Sequence, residues 1–329
     1  MSEVLILSQE EVKSCLPMKD AIKAVKEGYI AFAEKRANLP PIVILSAEKY
    51  GGEVDIKTGY IEDFGLIGTK IVSFFSNNPK IGLPSAIGVI VLMDLKTGVP
   101  LAIMDGTYIT GVRTGAAGAV AASVLARKNS KIVGVIGAGV QARNQVLGLN
   151  EVFALKKVKV YSQTEESRRK YASEMSEKLG IEVEAVDHAR KAVIGSDIVV
   201  TATPSKKAIV MDEWIDKGMH INCIGADEPG KQELDPKIMR RVDKIVVDSL
   251  SQCKEMGEIQ HALAQGIIKE SDVHAEIGEV LAGKKKGRER DDEITLFDAT
   301  GLAAQDIAAA NVVYNLAKKR KIGKTVKFL

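Results

Sequence analysis

The pattern of hydrophobic and polar positions divides the first part of the chain into a helix, a β-rich stretch and a second helix. Residues 18–37 carry apolar side chains at helical spacing, which predicts an amphipathic helix that ends before Leu39, Pro40 and Pro41. Turn-forming Gly, Pro and Asn residues then separate candidate strands at 42–46, 54–58, 67–74, 86–92 and 101–104. Residues 107–127 form a predicted helix so rich in Ala and Gly that we expect it to pack closely against another backbone.

From residue 131 the pattern changes to a regular alternation of strands and helices. The short apolar segments 131–136, 158–161, 198–202, 220–224 and 244–247 are rich in β-branched residues and alternate with helical segments. Strands buried on both faces of a parallel sheet have this composition, and repeated β–α alternation predicts a doubly wound parallel sheet. The Ala-rich segment 302–320 is predicted to be the last helix.

A glycine-rich turn directly follows the first of these strands. The segment GAGVQA at residues 137–142 has the form G-x-G-x-x-A. Gly137 would permit a tight turn, Gly139 the close approach of a pyrophosphate, and Ala142 the packing of helix on strand. The start of the next helix offers N–H groups and a positive dipole to a phosphate. We therefore predict a dinucleotide site here, with a tight structural turn as the alternative.

The end of the following strand bears on the choice between NAD and NADP. An acidic residue roughly 20 positions after the glycines commonly binds the ribose hydroxyls of NAD, but Ser162 stands where that acid is expected. A neutral hydroxyl does not repel a 2′-phosphate, and Arg143, Arg168 or Arg169 could pair with one. We expect NAD or NADP as cofactor, with NADP slightly favoured. The alternative for the arginines is an exposed helix face.

Two further strand ends carry polar residues, in the segments TATPS at 201–205 and IGADEPGK at 224–231. Ligands of open α/β sheets bind beyond the carboxyl ends of the strands. Asp227 is therefore expected to project toward the nicotinamide end of a cofactor. A carboxylate in that place can give or take a proton as hydride moves. A solvated loop aspartate is the alternative.

The β-rich part contains cations among apolar residues. Lys57 and Lys70 lie in predicted strands, and Arg113 lies in the helix of small residues. A charge in such surroundings is costly unless it is paired. A substrate carboxylate is one candidate partner, since arginine binds carboxylates through two hydrogen bonds. An internal salt bridge is the alternative for each of the three.

Composition and charge narrow the class of protein. The chain has 329 residues, of which 46% are apolar and 27% charged, as in a globular protein of two domains. The net charge of +3 and an aromatic content of 5% do not suggest a nucleic-acid partner.

The cysteines and the apolar segments indicate the compartment. Cys15, Cys223 and Cys253 are widely spaced, so neither a disulfide framework nor a metal site is expected, and a reducing environment fits better. The first residues do not have the pattern of a signal peptide, and no segment reaches the ~18 apolar residues that span a membrane. We expect a cytoplasmic protein with no membrane partner.

These segments together resemble the ornithine cyclodeaminase/mu-crystallin family, and within it the branch of alanine dehydrogenases and pyrroline-2-carboxylate reductases. The resemblance spans most of the chain and is carried by GTKIVSFFSNNPKIGLP, MDGTYITGVRTGAAGAVAASVLAR, VIGAGVQA, TATPS, INCIGADEPGKQELD and FDATGLAAQDIA. It implies an α/β protein in which a Rossmann doubly wound parallel sheet, residues 116–301, is inserted into a discontinuous α+β domain. That domain, residues 1–115 and 302–329, would bind substrate and form a homodimer.

The resemblance also implies a role for each residue that falls on a family motif. Asp227 matches the residue that gives or takes the proton, and with Lys70 it would be catalytic. Lys70 and Arg113 match ligands of the substrate carboxylate; Lys57 would join them, and Thr300 falls near the substrate. The implied cofactor-binding residues are Ser85, Arg113, Gly137, Gly139, Val140, Gln141, Ser162, Thr203, Gly225, Lys231 and Ala299.

Two positions depart from patterns within the family. Members often have Arg or Lys directly after the Pro-Pro pair, as a further carboxylate ligand, whereas this chain has Ile42. Lys57 aligns with a position that is acidic in the cyclodeaminases and basic in the alanine dehydrogenases. The resemblance therefore favours simple redox chemistry on an amino acid or imine over cyclodeamination.

Three functional hypotheses follow. The first is an NAD(P)-dependent oxidoreductase on the C–N bond of a small α-amino acid or its imine, such as alanine or pyrroline-2-carboxylate. The second is an ornithine cyclodeaminase, which releases ammonia and recycles its cofactor internally. The third is a non-catalytic NADP-dependent binding protein of the mu-crystallin type. The second needs the same cofactor site and the same Asp227 as the first.

Overall fold

The computed structural model describes residues 3–328, which divide into two compact units. The first unit consists of the chain up to Arg113 together with the segment from Leu302 onward, and the second unit is Thr114–Gly301. Within residues 3–328, no helix is both long enough and apolar enough to cross a membrane.

The helices and strands follow each other in two series. Up to Leu125 they are β1 (Glu3–Leu7), α1 (Gln9–Cys15), α2 (Met18–Ala33), β2 (Ala37–Asn38), β3 (Val43–Ala47), β4 (Gly52–Ile61), β5 (Leu66–Phe75), β6 (Ala86–Asp94), β7 (Pro100–Asp105) and α3 (Thr107–Leu125). The elements that follow are β8 (Ile132–Ile136), α4 (Val140–Val152), β9 (Lys157–Tyr161), α5 (Glu165–Leu179), β10 (Glu182–Ala185), α6 (Ala189–Val193), β11 (Ile198–Thr201), β12 (Lys206–Val210), β13 (His220–Cys223), β14 (Gln232–Leu234), β15 (Lys244–Val247), α7 (Leu250–Met256), α8 (Gln260–Ala264), β16 (Val273–Glu276), α9 (Ile277–Leu281), β17 (Thr295–Asp298), α10 (Ala303–Arg320) and β18 (Lys324–Lys327).

The first unit is built on one mostly antiparallel sheet. Its strand order is β18-β1-β7-β6-β5-β4-β2, with β3 also paired to β4; β1 and β7 run parallel, and the other pairs among these strands, within residues 3–328, are antiparallel. Helix α10 packs on β4, β5 and β6 and against α1 and α2. Close approach to α2 requires Gly28, because a Cβ there would lie 2.9 Å from the carbonyl oxygen of Ala304. The predicted strands of this part and the last predicted helix are confirmed.

The predicted helix at 18–37 ends four residues early. Helix α2 stops at Ala33, and Lys35 adopts a positive φ of 61°. The N–H of Arg36 then donates to the carbonyl of Ala31 at 2.8 Å, and the chain continues as β2. The prolines therefore do not end this helix, and the prediction that they set its boundary is wrong. A left-handed residue that closes the last turn ends it instead.

The second unit is a doubly wound parallel sheet, as predicted. Its order is β10-β9-β8-β11-β13-β17-β15-β16, and every neighbouring pair is parallel. Along β11, Val199 belongs to one hydrophobic core, whereas Ile198 and Val200 belong to another. Because successive side chains of a strand point to opposite faces, the sheet has a core on each side.

Close backbone packing of the Ala- and Gly-rich helix is also confirmed. A Cβ added at Gly115 of α3 would lie 2.2 Å from the carbonyl oxygen of Asn144 in α4, and one added at Gly148 would lie 2.4 Å from that of Gly115. These distances are too short for any side chain. The glycines thus let α3 and α4 touch through their backbones.

Candidate active site

The turn after β8 forms one wall of a cavity in the second unit. Gly137 has a φ of +111°, and a Cβ there would lie 2.4 Å from the carbonyl oxygen of Ala202. A Cβ at Gly139 would meet nothing within 4 Å, so this backbone borders open space. The cavity of about 420 Å³ is lined by Ile136, Gly137, Ala138, Gly139, Tyr161, Ser162, Gln163, Thr164, Ser167, Ala202, Thr203, Pro204, Ser205 and Ile209. It brings together the predicted cofactor residues Gly137, Gly139, Ser162 and Thr203.

The start of α4 supplies the donors that a pyrophosphate needs. The helix begins at Val140, directly after Gly139, so Val140 and Gln141 lie in its first turn. N–H groups of a first turn have no partner within the helix and carry its positive dipole end. Val140 is 67% exposed, whereas Ala142 is fully buried, as the packing of helix on strand requires. The residues present therefore fit a dinucleotide.

One of the three arginines considered for a 2′-phosphate lies at Ser162. The guanidinium of Arg168 donates from Nη1 to the carbonyl oxygen of Ser162 at 3.4 Å. Arg143 instead binds Glu174 at 2.6 Å and donates to carbonyls of the glycine-rich turn. Arg169 pairs with a glutamate of its own helix at 2.6 Å. Arg168 is therefore the cation best placed to act together with Ser162.

Asp227 lies in the loop between β13 and β14, where Lys231 holds its carboxylate. The Nζ atom of Lys231 lies 2.7 Å from Oδ1 of Asp227 and 2.7 Å from Oε1 of Glu228. Although burial alone would lower it, the two carboxylates raise the pKa of Lys231. The Asp227 side chain keeps 41% of its surface exposed. Its carboxylate is thus fixed in direction by a cation while it stays accessible.

The remaining predicted residues of this unit lie at neighbouring strand ends. The strands β11, β13 and β17 are adjacent in the sheet. A Cβ at Gly225 would lie 2.4 Å from the carbonyl oxygen of Thr203, and the N–H of Ala299 donates to the carbonyl of Cys223 at 3.1 Å. Thr203, Gly225 and Ala299 therefore form a continuous backbone edge at the carboxyl side of the sheet.

Thr300 is buried, and its hydroxyl is directed at two polar side chains. Its Oγ1 lies 3.3 Å from Oδ1 of Asp248 and 3.1 Å from Oε1 of Gln252. The other carboxylate oxygen of Asp248 accepts the N–H of Gly301 at 2.7 Å. Asp248 therefore fixes the turn that carries Ala299 and Thr300.

In the first unit, two lysines face each other across a strand pair. Lys57 of β4 is the direct antiparallel partner of Lys70 in β5, and both side chains are buried. Like charges in facing positions destabilise a sheet unless an opposite charge lies between them. Asp306 of α10 supplies that charge, with both carboxylate oxygens 2.9 Å from Nζ of Lys70.

Arg113 binds the same carboxylate. Its Nε donates to Oδ1 of Asp306 at 3.0 Å, and its Nη1 donates to Oε1 of Gln305 at 2.6 Å. The side-chain amide of Gln305 in turn donates to the hydroxyl of Tyr29 at 2.6 Å. Two buried cations thus share one carboxylate, and the Gln305–Tyr29 pair orients the guanidinium.

This arrangement changes the protonation of Lys70. Burial, reinforced by the charge of Arg113, lowers the pKa of Lys70 to about 7 despite its contact with Asp306. Burial raises the pKa of Asp306, but Arg113 and Lys70 outweigh it, so the pKa of that carboxyl is lowered. Lys70 therefore exchanges its proton near neutral pH, whereas Asp306 stays ionised.

An internal salt bridge was the alternative that the sequence left open for the cations, and the structure contains one for Lys70 and Arg113. Asp306 and Gln305 were not predicted. The one available signal was that Asp306 is the only acidic residue of the Ala-rich helix α10. The last predicted residue, Ser85, lies in the first unit just before β6, is exposed, and accepts the N–H of Phe75 at 2.8 Å.

The parallel sheet and its glycine-bordered cavity define a dinucleotide-binding protein of the Rossmann type. An alanine dehydrogenase from Archaeoglobus fulgidus is 46% identical to this chain over 327 residues, 99% of each protein. A solved archaeal alanine dehydrogenase dimer with bound NAD matches with a TM-score of 0.94 and 47% identity, covering 100% of both chains. The Thermococcus litoralis Δ1-pyrroline-2-carboxylate reductase, solved with NADH and L-proline, matches with a TM-score of 0.95 and 41% identity, covering 98% of this chain and 100% of that one.

The family assignment rests on the whole chain. The model of the ornithine cyclodeaminase/mu-crystallin family matches residues 2–321. The chain belongs to this family, and the resemblance identified in the sequence is confirmed.

Replacing Asp306 should leave both Lys70 and Arg113 without their buried anionic partner. We expect Asp306→Asn to lower the free energy of unfolding by about 3–5 kcal/mol, because a buried charge is left uncompensated. The loss should be larger at pH 6 than at pH 9, since Lys70, with a pKa of about 7, is already neutral at the higher pH. Urea unfolding followed by circular dichroism measures both effects.

Two further variants complete this test. Adding Lys70→Met to Asp306→Asn should restore part of the stability, because one of the two unpaired cations is removed. Glu27→Gln, on an exposed position of α2, should change stability by no more than about 0.5 kcal/mol. A loss below about 1 kcal/mol for Asp306→Asn would contradict a role of this carboxylate in holding buried charge.

Proposed function

We propose that the chain is an NAD(P)-dependent oxidoreductase acting on the C–N bond of a small α-amino acid or its imine. The observation that carries the proposal is the buried cluster of Lys70 and Arg113, two cations that share the single carboxylate of Asp306. The relatives named above are a dehydrogenase and a reductase of this substrate class. In our proposal the first unit binds substrate and the second unit binds the dinucleotide.

The cation cluster would bind the substrate carboxylate. Arg113 uses Nε on Asp306 and Nη1 on Gln305, and in our proposal its Nη2 donates to the ligand. A second negative charge also favours the protonated form of Lys70. Lys57, directly opposite Lys70, adds positive charge on the same face. Fixing the carboxylate in this way fixes the α-carbon, and such positioning lowers the barrier by several kcal/mol.

Asp227 would handle the proton. A bound nicotinamide would supply or accept the hydride at the α-carbon. Asp227 would protonate or deprotonate the substrate nitrogen, or activate the water that attacks the imine. Lys231 holds the Asp227 carboxylate in one orientation, and exposure of that side chain leaves it open to a ligand.

A spectrophotometric screen tests the reaction class. We expect net formation or consumption of NAD(P)H with at least one of alanine, proline, pyruvate plus ammonia, or a five- or six-membered cyclic imine acid. Ammonia release from ornithine without net NAD(P)H change would identify a cyclodeaminase instead. Tight NADPH binding without turnover of any of these compounds would identify a binding protein.

Removing the Asp227 carboxylate should separate chemistry from cofactor binding. We expect Asp227→Asn to lower kcat by at least about 100-fold, the usual contribution of a general acid–base group, and to leave the NADH dissociation constant nearly unchanged in a fluorescence titration. Glu228→Gln removes the other carboxylate on Lys231 and is the matched control, which should retain most of the turnover. Undiminished turnover in Asp227→Asn would reject the proton-transfer role.

We also propose that Ser162 and Arg168 let the chain accept NADP as well as NAD. The support is the contact of Arg168 with the Ser162 carbonyl and the absence of an acid at that strand end. We expect Ser162→Asp to shift the ratio of the two kcat/KM values toward NADH by about tenfold, equivalent to ~1.4 kcal/mol. Ser173→Asp, an exposed site on α5, adds the same charge elsewhere and should leave the ratio unchanged. An unchanged ratio in Ser162→Asp would remove Ser162 from cofactor selection.

We further propose that two copies of the chain form a homodimer through the sheet of the first unit. Val43 and Leu45 of β3 are 58% and 61% exposed, and Ile71 of β5 and Ile87 of β6 are 38% and 40% exposed. The register aligns β3 with β4 and β4 with β5, so Val43 and Ile71 both lie next to Ile56 on one sheet face. An apolar face of this kind marks a protein contact, and a matching alanine dehydrogenase was solved as a dimer.

Sedimentation velocity tests this association. We expect a dimer at micromolar concentration, and a shift toward monomer in Leu45→Lys, because the lysine would be desolvated at the interface. Lys49→Ala, at an exposed polar site after β3, serves as the control and should remain dimeric. A wild-type protein that sediments as a monomer would overturn the proposal.

A further inference from the structure

Three carboxyl groups of the second unit are deeply buried. Glu233 lies in β14, Glu258 lies between α7 and α8, and Asp298 ends β17; their exposed fractions are 0%, 2% and 0%. Within residues 3–328, none of them forms an ion pair with Lys, Arg or His. A buried carboxylate is costly unless donors satisfy it. Backbone N–H groups are among the donors here.

Each of these carboxylates fixes the segment that carries the next one. Oδ2 of Asp298 accepts the N–H of Ile259 at 3.1 Å, directly beside Glu258. The Glu258 carboxylate accepts the N–H of Glu233 at 3.0 Å and that of Leu234 at 2.7 Å. The position of Glu233 is therefore set from β17 through two successive hydrogen-bonded steps.

The last carboxylate of the series joins the two loops of the candidate site. Oε1 of Glu233 accepts the N–H of Thr203 at 2.6 Å, and Oε2 accepts the N–H of Gly225 at 3.0 Å. Gly225 precedes Asp227 by two residues, and Glu233 follows Lys231 by two. Glu233 thus closes the loop that contains the Asp227–Lys231 ion pair and ties it to the cavity wall at Thr203.

The contact is too close for another residue at position 225. A Cβ on Gly225 would lie 2.5 Å from Oε2 of Glu233 and 2.5 Å from the backbone nitrogen of Thr203. Glycine is therefore required here so that the carboxylate can reach both N–H groups at once. Position 225 must therefore be glycine as long as the carboxylate of Glu233 occupies this place.

We propose that Glu233 is a positioning residue. By accepting the backbone N–H groups of Thr203 and Gly225, it fixes the loop that carries Asp227 relative to Thr203. This inference rests on the proposed role of Asp227. Glu233 does not touch the reacting atoms in our scheme; it acts through the loop. Its carboxylate is suited to the task because two acceptor oxygens at a fixed separation bind two donors in the loops that follow β11 and β13.

Burial shifts the pKa values of these carboxyl groups. Burial raises the pKa of Glu233 to about 7, although hydrogen bonds from the side chains of Thr203 and Thr201, and from the backbone N–H groups of Thr203 and Gly225, oppose that rise. Burial, together with the charge of Glu233, raises the pKa of Glu258. Glutamine at position 233 has the same shape but only one acceptor, so its NH₂ group would face one of the two N–H donors.

Amide hydrogen exchange in the cofactor-free protein tests the inference. In the wild type, the amides of Thr203 and Gly225 should be protected like those of the sheet strands. In Glu233→Gln, we expect at least one of the two to exchange at least tenfold faster, ~1.4 kcal/mol in opening free energy, while amides of β8 and β9 keep their protection. Glu276→Gln is the matched control, because the Glu276 carboxylate also accepts a backbone N–H, that of Leu250 at 2.9 Å. It should leave Thr203 and Gly225 unchanged.

A second measurement compares the effect of the same variant on kcat with its effect on cofactor binding. With a substrate found in the screen, Glu233→Gln should lower kcat by about 10- to 100-fold, as misplacement of a reacting group by about 1 Å does, with a much smaller change in the NADH dissociation constant. If Glu233 were merely structural, its replacement would instead weaken the protection of amides throughout the second unit.

The outcomes separate this inference from the proposed function. Fast exchange of both amides in the wild type, or unchanged exchange of both in Glu233→Gln, would overturn the inference whatever the enzyme catalyses. If the variant does not fold, the exchange rates of the wild-type protein alone still test the inference. Absence of turnover with every substrate would overturn the proposed function and leave the exchange result standing.

Discussion

The carboxylate of Asp306 is the constraint on which the rest of the first unit depends. Register places Lys57 opposite Lys70 on the buried face of the sheet, and Arg113 reaches the same place from α3. Without a negative charge there, burial of these cations would oppose folding. Helix α10 is therefore held on the sheet by an electrostatic requirement as well as by apolar packing.

The two units use their buried acidic groups in different ways. In the first, one carboxylate is bound by two cations, Lys70 and Arg113. In the second, the carboxyl groups of Glu233, Glu258 and Asp298 accept backbone N–H groups and thereby fix loops. In both units, buried hydrogen bonds hold a side chain or a loop in one orientation. A reacting atom can be positioned only by groups that are held in this way.

The sequence was sufficient for the parts whose signal is local. The glycines of 137–142, the Ala-rich helices, strands β3 to β7 of the first sheet and strands β8, β9, β11, β13 and β15 of the second follow from spacing and composition. Asp306 could not be placed, because an Ala-rich helix buried over most of its length gives no periodicity from which its facing side can be read. Strand β17 was not predicted, although it has the same length as β15, which was predicted. The predicted end of α2 was wrong because Lys35 adopts a left-handed conformation, which a lysine in a sequence gives no reason to expect.

The Lys70 ammonium has one more consequence. Because the pKa of Lys70 is about 7, a sample near neutrality contains both its charged and its uncharged form. Any anion that settles beside it favours the charged form, so association must draw hydrogen ions from the medium. The heat of association measured by calorimetry would then contain the ionisation enthalpy of the buffer, and two buffers at one pH would give different apparent enthalpies for the same event.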